Sequence, residues 1–449
     1  MGIESIANVV INIGGSGGID RAGFNVPMIA GHHTKFTART KTYSSQTALE
    51  DLITDGFSTH DPIYRKVQSV ISSTPRPKTF ILGKTTGTWT HKGTLTVVSD
   101  TPVAGDVYAL SVKSPAGEIT AVSHTVTTET ATAVATALAA ALTAISGITS
   151  TSAAGVISWE SDDDNVEWAL SGYDTKQLLY ADTTINPVDH PLAEDLAAIK
   201  VADNSWYGLI LADAPSNARN IAAAAWTETQ EKIFFALTRD SINQDDTNVN
   251  SLAYLTHAAD YFRTSVIYSE DFSTGADSAW VGEGFPYDPG SSTWAYKTLA
   301  GVTVDLLDAD GQAGILENNA NIYIRVAGAS VTMNGTTASG EWIDVVIFRD
   351  YLAARLGESF LGLLKNNRKI PYTNKGRELI LSAILAILQT GVAVGGLDDS
   401  EEYKPWASGP DVSEIDVADR AARHFPRIKF GARLAGAVHT IDIVGELMV

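Results

Sequence analysis

The chain contains no cysteine, which excludes disulfide bonds, thiolate metal sites and thiol nucleophiles. Charged residues are also scarce, at 19% of 449 residues, compared with about 25% in ordinary globular proteins. Within this small set, 52 acidic residues outnumber 32 basic residues, so the net charge is −20. Because an acidic protein repels phosphate groups, we expect no direct nucleic-acid binding. The low charge content suggests that copies of the chain cover one another.

Long hydrophobic runs are absent as well. The longest, residues 379–388, is half of the roughly 20 residues that a membrane-spanning helix needs. We interpret it as part of a core helix and expect no membrane insertion. The first twenty residues lack a basic segment followed by an apolar one, so no secretory signal is expected. With 44% apolar residues, the chain can still bury hydrophobic cores, and its length suits about three domains.

Short apolar runs alternate with helical patterns in two parts of the chain. Uniformly apolar runs of four or five residues are typical of parallel strands that are covered on both faces. The predicted strands are residues 79–82, 207–211, 233–237 and 265–268. The predicted helices are residues 61–73, 192–201, 216–229 and 251–262, with a further helix that begins at a capping box of Thr47 and Glu50. This alternation predicts an α/β fold with a doubly wound parallel-sheet core, assigned to residues 21–84 and 184–300.

About a hundred residues of different composition interrupt this core. Residues 85–183 contain 19 threonines and 11 acidic residues, but only 3 basic residues. Strand-like runs at 95–98 and 107–112 accompany one helix whose apolar residues recur every three or four positions. We therefore predict an inserted, β-rich α+β domain that faces outwards.

Longer helices characterise the segment from residue 301 to residue 436, which we predict to be a C-terminal α+β domain. Asp308 is predicted to cap a helix that runs to Asn319. Two long helices follow at 341–366 and 375–390, and the first carries one apolar stripe: Val345, Phe348, Leu352, Leu356, Phe360 and Leu363. An exposed acidic loop is predicted at 398–419, and strands are predicted at 427–434 and 438–444.

Three sequence motifs that resemble ligand or catalytic sites lack the context that their chemistry needs. The glycine-rich residues 14–18 match the G-x-S-x-G pattern, but no helix follows them to support an oxyanion site. Residues 83–85 read Gly-Lys-Thr, but Lys78 stands where a phosphate-binding loop needs its first glycine. A calcium-loop spacing around Asp310 has Leu306 at its first ligand position. The nine histidines form no pair at metal-binding spacing. We therefore expect no metal, no cofactor and no catalytic residue.

One alternative from another class remains open. In α/β proteins ligands bind beyond the carboxyl ends of the parallel strands. Here those positions hold Asp213, Arg239 and Ser269, which provide acidic groups without a base and nucleophile set. The alternative is therefore an α/β ligand-binding protein or enzyme with a site at these strand ends.

Both chain ends read as β-strands that are tethered by glycine. An unpaired terminal strand exposes backbone donors and acceptors, so it needs a partner. The ends can pair within their own subunit, or they can complete a sheet in a neighbour through main-chain hydrogen bonds. The predicted exchanged strands are Val9, Val10, Ile11, Asn12 and Ile13 at one end, and Val438, His439, Thr440, Ile441, Asp442, Ile443 and Val444 at the other. The predicted hinges are Gly14, Gly15, Gly17, Gly18 and Gly436, and residues 1–20 and 437–449 form the two arms.

Several short motifs, taken in order, resemble the tail sheath proteins of contractile bacteriophages. They cover residues 20–83 and 190–449, and none lies in the inserted domain. The motifs are FNVP at 24–27, HDPIY at 60–64, PRPK at 75–78, ASGEWID at 338–344, KIPYT at 369–373, ADRAAR at 418–423 and LAGAVH at 434–439.

This resemblance implies a structural subunit that is not an enzyme. Sheath subunits stack as hexameric layers around a tail tube, exchange terminal strands with neighbours, and contract to drive the tube through the host envelope. The implied partners are further copies of the chain, the tail tube protein, and the baseplate and tail terminator proteins. The implied location is the virion tail, after assembly in the cytoplasm of the bacterial host, although a sheath of a non-viral injection system remains an alternative.

Two basic clusters interrupt the acidic composition of the C-terminal part. Either cluster could contact an acidic tube surface or the acidic loop of a neighbouring subunit, while the first could also be a solvated helix end. The first cluster is Lys365, Arg368, Lys369, Lys375 and Arg377, and the second is Arg420, Arg423, Arg427, Lys429 and Arg433.

Overall fold

The computed structural model describes residues 23–98, 102–174, 176–184, 191–213, 216–270 and 275–439. The strands are β1 (Pro27–His32), β2 (Thr40–Ser44), β3 (Thr79–Thr85), β4 (Lys92–Val97), β5 (Val107–Lys113), β6 (Ile119–Thr125), β7 (Ile148–Ala153), β8 (Val156–Ser161), β9 (Ala169–Ser171), β10 (Leu178–Asp182), β11 (Gly208–Leu211), β12 (Ile233–Thr238), β13 (Thr264–Tyr268), β14 (Ile322–Val326), β15 (Ala329–Met333), β16 (Trp406–Ser408) and β17 (Lys429–Gly431).

The α-helices are α1 (Ala48–Thr54), α2 (Pro62–Val70), α3 (Ala131–Thr143), α4 (Leu192–Ala202), α5 (Asn217–Glu228), α6 (Leu252–Ala258), α7 (Ala276–Gly284), α8 (Ala309–Glu317), α9 (Ile343–Asn366), α10 (Asn374–Ala393) and α11 (Val417–Ala421). The mixed α/β class predicted from the sequence is confirmed. The described residues divide into two compact units. The larger unit is Gly23–Pro286 with Trp294–Trp342, and the smaller contains Tyr287–Thr293 and residues 343–439.

A six-stranded sheet forms the centre of the larger unit. Its strand order is β13-β12-β11-β1-β3-β2, and every pair is parallel except the edge pair of β2 with β3. The four apolar runs predicted as strands are confirmed as β3, β11, β12 and β13. They are buried because helices pack on both faces, as uniformly apolar strands require.

The two faces of this sheet pack against different helices. On one face, Met28 and Leu209 join a core with Leu196 of α4 and Ala223 of α5. On the other face, the ring of Phe235 lies 6.0 Å from that of Trp280 in α7. Alternate side chains of each strand thus enter separate cores, because successive strand residues point to opposite faces.

The central strand β1 was not predicted from the sequence. Its residues, PMIAGH, include proline, glycine and histidine and form no uniformly apolar run. The strand forms because it lies between β3 and β11 and pairs with both. Gly31 is required within it, since an added Cβ would lie 2.9 Å from the Cβ of Ala212 and 3.0 Å from Ile63. Tertiary packing therefore outweighs local propensity here.

Most of the Thr-rich segment shares a hydrophobic core that is separate from that of the main sheet. Two sheets, with orders β10-β4-β8-β7 and β6-β5-β9, pack with α3 through side chains such as Val134, Leu138 and Trp159. This arrangement supports an inserted module, while its limits at residues 85 and 183 stay a prediction. The hairpin of β14 and β15 belongs to the larger unit, since Ile322 joins the core of the main sheet. The sequence instead predicts a C-terminal domain at residues 301–436, which includes this hairpin.

Two predicted helix caps have different outcomes. The Asp308 side chain accepts a hydrogen bond from the backbone N–H of Gly311 at 2.9 Å, which confirms this N-cap. The capping box of Thr47 and Glu50 is wrong, although α1 does begin there. The Thr47 hydroxyl instead donates to the Asp51 carboxylate at 2.6 Å, so it satisfies a side chain rather than the free backbone amides.

The helices α9 and α10 form the core of the smaller unit. Of the predicted stripe, Phe348 and Leu356 are buried in this core and Leu352 and Phe360 pack against it. By length and composition α10 could cross a membrane, and 28% of its most apolar window is buried. One such helix among the described residues is weak evidence, because core helices pass the same test. Leu388 of α10 is fully buried.

Candidate subunit interface

A two-stranded antiparallel sheet in the smaller unit is the first component of the candidate interface. β16 and β17 pair Trp406 with Gly431, Ala407 with Phe430 and Ser408 with Lys429. Within the described residues, neither strand pairs with a third. Because two strands alone are only marginally stable, an additional strand would stabilise this sheet.

The two faces of the small sheet differ in polarity. Ala407 and Phe430 pack towards the core of α9 and α10. Trp406 and Lys429 lie on the opposite, exposed face, where 51% of the Trp406 surface is accessible. Gly431 is required beneath the indole, since an added Cβ would lie 2.6 Å from two of its ring atoms. The exposed face therefore presents one large aromatic ring and one positive charge.

The predicted C-terminal strand falls only partly within the described residues. The strand predicted at 427–434 is shorter than expected, since only Lys429–Gly431 form β17. Val438 is 79% exposed, and Nε2 of His439 lies 2.9 Å from the hydroxyl of Thr293 in the same unit. Residues Thr440, Ile441, Asp442, Ile443 and Val444 lie outside the described residues.

Of the predicted hinges, only Gly436 can be placed. Its φ of +67° lies in the left-handed region that favours glycine. The predicted N-terminal strand, residues 9–13, and the glycines at 14, 15, 17 and 18 lie outside the described residues.

The first basic cluster lies where α9 ends and α10 begins. Lys365, Arg368 and Lys369 are exposed. The guanidinium of Arg377 lies 2.6 Å from the carboxylate of Glu378 and 3.9 Å from that of Asp411. Part of this cluster therefore contacts the acidic loop of its own chain, and Lys375 is exposed beside it.

The second basic cluster also contacts its own acidic loop. Arg420 donates to the carbonyl oxygen of Val412 at 2.8 Å, and Arg427 donates to that of Glu414 at 2.9 Å. Arg433 stacks over the ring of Tyr403 at 4.1 Å. Arg423 and Lys429 are exposed. These own-chain contacts leave Lys429 as the exposed cation on the small sheet.

The strand-end residues of the alternative hypothesis, a ligand-binding or active site, each contact a side chain elsewhere in the fold. Asp213 forms a buried ion pair with Arg219, and Arg239 forms one with Glu167 at 2.7 Å. The Ser269 hydroxyl lies 3.4 Å from the carboxylate of Asp305. These three side chains thus have structural partners, and they form no set of nucleophile and base.

Glu167 lies at the centre of a buried ionic cluster in the larger unit. It accepts hydrogen bonds from Arg65 of α2 at 2.6 Å and from Arg239 at 2.7 Å. Burial opposes ionisation, but the two guanidiniums outweigh it and lower the pKa of Glu167 to about 2. The cluster joins the Thr-rich module to the main sheet through a carboxylate that is ionised at neutral pH.

A cavity of about 260 Å³ lies at the ends of β1 and β11, lined by His32, His33, Trp89 and Asp213 among others. His33 is 5% exposed, and neither of its ring nitrogens has a hydrogen-bond partner among the residues that the structure describes. Within the described residues no group of three or more histidine or acidic side chains could hold a metal ion. Burial, with Lys84 nearby, lowers the pKa of His33 to about 4.

Acidification is therefore expected to lower the free energy of unfolding through protonation of His33. The unfolded chain binds a proton near pH 6.5, while the folded chain resists it until about pH 4, so the free energy of unfolding falls as the pH drops through this range. Urea unfolding at pH 7 and pH 5 measures the effect. His33→Gln should reduce the pH dependence relative to the unaltered chain, and an equal dependence in both proteins would contradict the assignment.

Comparison with known proteins finds a family match within the smaller unit. Residues 343–401 match the family model described as "E217 tail sheath protein gp31-like, C-terminal domain". This match confirms the resemblance to tail sheath proteins. The matched segment contains α9 and α10 and ends before the acidic loop reaches β16. No curated protein matches the chain.

One solved structure shares the fold over most of the chain. The "PVC sheath complex in contracted state" of an extracellular contractile injection system is 12% identical, with a TM-score of 0.50, over 94% of this chain and 92% of that chain. At this identity the likeness shows a shared fold. A chain of the anti-feeding prophage (AFP) baseplate is 13% identical, with a TM-score of 0.46, over 58% of this chain and 74% of that chain.

Proposed function

We propose that this protein is the structural subunit of a contractile sheath. Copies polymerise helically around a tube, and contraction drives that tube through a target envelope. The observation that carries the proposal is the match of residues 343–401 to a tail sheath domain, within a fold that is sheath-like over 94% of the chain. The matched family is structural, and the proposed work comes from energy stored at subunit interfaces.

Terminal strands join the copies in this proposal. The two-stranded sheet of β16 and β17 is the receptor, since each of its edges can pair with an incoming strand. The arms that complete it are residues 9–13 and the segment after His439, whose imidazole contacts its own subunit. We further propose that the main-sheet core is doubly wound and moves as a rigid body on glycine links.

The partners follow from this role. They are hexameric layers of the same chain, a tail tube protein, a baseplate and a tail terminator. We place the assembly in a phage virion tail that is built in the bacterial cytoplasm. A non-viral contractile injection system is the second candidate, favoured by the fold of the PVC sheath.

Deleting residues 440–449 tests the proposal. The purified full chain should form tubes in electron micrographs, and the truncated chain should remain a folded, unpolymerised subunit because it lacks the strand that pairs with a neighbour. Circular dichroism checks that the truncated chain is folded.

A matched control keeps the strand. Ile441→Val with Ile443→Val preserves β-propensity, so these tubes should persist. Tubes formed equally well by the truncated chain would contradict strand exchange at this end. A full chain that never polymerises at any concentration or salt would contradict the proposed function itself.

A further inference from the structure

The exposed edge of the small sheet carries a defined pattern of charge and polarity. Ile428 and Phe430 pack against the core of α9 and α10, and Lys429 between them is exposed. Residues 428–430, the last two of which belong to β17, therefore present apolar, positive and apolar positions in succession. No hydrogen bond or ion pair of the Lys429 ammonium is found within the described residues.

The segment after His439 has the complementary pattern. Ile441, Asp442 and Ile443 present apolar, negative and apolar positions in succession. Ten residues follow His439, which is long enough for a strand of typical length, 3–10 residues. The predicted N-terminal strand, residues 9–13, contains no charged residue and so has no counterpart for Lys429.

We infer that the C-terminal arm of a second copy pairs with β17 so that Asp442 lies opposite Lys429. This inference rests on the proposed function, because it names the register of the strand exchange. In that register Ile441 and Ile443 lie beside Ile428 and Phe430 whether the strands run parallel or antiparallel. The apolar side chains then extend the core, and the charged pair lies on the exposed face near Trp406.

A shift of one residue destroys this match. Because side chains alternate between faces, a one-residue slip moves Asp442 to the apolar face beside Phe430 and exposes both isoleucines. Opposite charges directly across two strands stabilise their pairing, and like charges destabilise it. The Lys429 and Asp442 pair thus selects the register and favours the C-terminal strand over the predicted N-terminal strand at residues 9–13.

Charge reversal tests the pair in the full chain. Lys429→Glu and Asp442→Lys, each alone, should raise the concentration needed for polymerisation about tenfold, since each places like charges opposite one another. The double variant should return to within about threefold of the unaltered chain. Lys78→Glu, an equal charge change at another exposed lysine, is the control and should leave polymerisation unchanged.

Cysteine cross-linking gives an independent readout because the chain has no cysteine of its own. Lys429→Cys and Asp442→Cys chains, carrying tags of different mass, are mixed, polymerised and mildly oxidised. A covalent dimer that contains both tags is expected. Lys429→Cys mixed with Ile441→Cys should give far less, since residue 441 faces the other side.

The outcomes separate this inference from the proposed function. If deletion of 440–449 abolishes tubes but the double charge reversal does not restore assembly and the mixed cross-link is absent, the register is wrong and strand exchange stands. If the variants Lys429→Glu and Asp442→Lys, each alone, polymerise normally, Asp442 does not lie opposite Lys429. If the two cysteines placed in one chain link only within that chain, the arm pairs with its own subunit, and both ideas fail.

Discussion

Glu167→Ala is expected to lower the free energy of unfolding of the larger unit by about 3–5 kcal/mol. Glu167 is buried and accepts hydrogen bonds from both Arg65 and Arg239. Removing its carboxylate leaves two guanidiniums, one of them only 3% exposed at Arg239, without the anion that compensates their charge. Urea unfolding followed by tryptophan fluorescence measures the loss.

The matched control is an acidic residue in the same module whose ion pair is exposed. Glu160 lies 2.7 Å from Lys92, and both side chains are close to half exposed. Because water already solvates this pair, Glu160→Ala should cost less than about 1 kcal/mol. Equal losses for the two variants would show that the Glu167 cluster does not join the module to the sheet.

The pH dependence of the Glu167 effect has a definite sign. The folded-state pKa of Glu167 is about 2, below the ordinary value of 4.5. Its contribution is therefore fully present above pH 4.5 and is lost as the pH falls towards 2. The stability difference between the unaltered chain and Glu167→Gln should narrow between pH 5 and pH 3.

The strand and helix pattern of the main sheet could be predicted because it depends on local composition. The runs that became β3, β11, β12 and β13 are apolar on both sides, and Asp308 begins a helix in the usual way. The central strand β1 could not be found, because its proline, glycine and histidine become a strand only between two partners that are distant in sequence. The glycine at position 31 is a sequence feature that fits this strand, because the structure leaves no room for a side chain there.

The ionic cluster was missed for the same reason. Arg65 lies 102 residues from Glu167 in sequence, and Arg239 lies 72 residues from it. No local sequence pattern therefore relates the three residues. Arg239 was considered as a ligand-binding residue at a strand end, and its position there was correct. The structure gives it another role, because the Thr-rich module supplies a carboxylate that occupies its guanidinium.

For the candidate interface, the sequence suggests the incoming strands but not the sheet that would receive them. Alternating β-forming residues at the chain ends indicated strands that need partners, and the basic clusters indicated charged surfaces. The small sheet of β16 and β17 was only partly anticipated, since β16 is three residues long and lies within the acidic segment 398–419 that is predicted as a loop. The own-chain contacts of Arg377, Arg420 and Arg427 depend on how that loop folds back, which charge counting does not reveal.

Two glycines in helices should respond to the same substitution with opposite signs. In α7, a Cβ added to Gly282 would lie 2.2 Å from the carbonyl oxygen of Val70, the last residue of α2. In α9, a Cβ added to Gly357 would meet no atom of the described residues within 4 Å. Gly282→Ala must push two helices apart and should lower the free energy of unfolding by up to about 3 kcal/mol.

Gly357→Ala removes only backbone freedom of the unfolded chain and should raise the free energy of unfolding by about 0.5–1 kcal/mol. Urea unfolding of both variants, under conditions where the chain is unpolymerised, makes the comparison. The two changes add the same methyl group to the same type of element, so propensity alone predicts stabilisation in both. A stabilising Gly282→Ala would therefore mean that α2 and α7 are not in the close backbone contact described above, and that the packing on this face of the main sheet is looser.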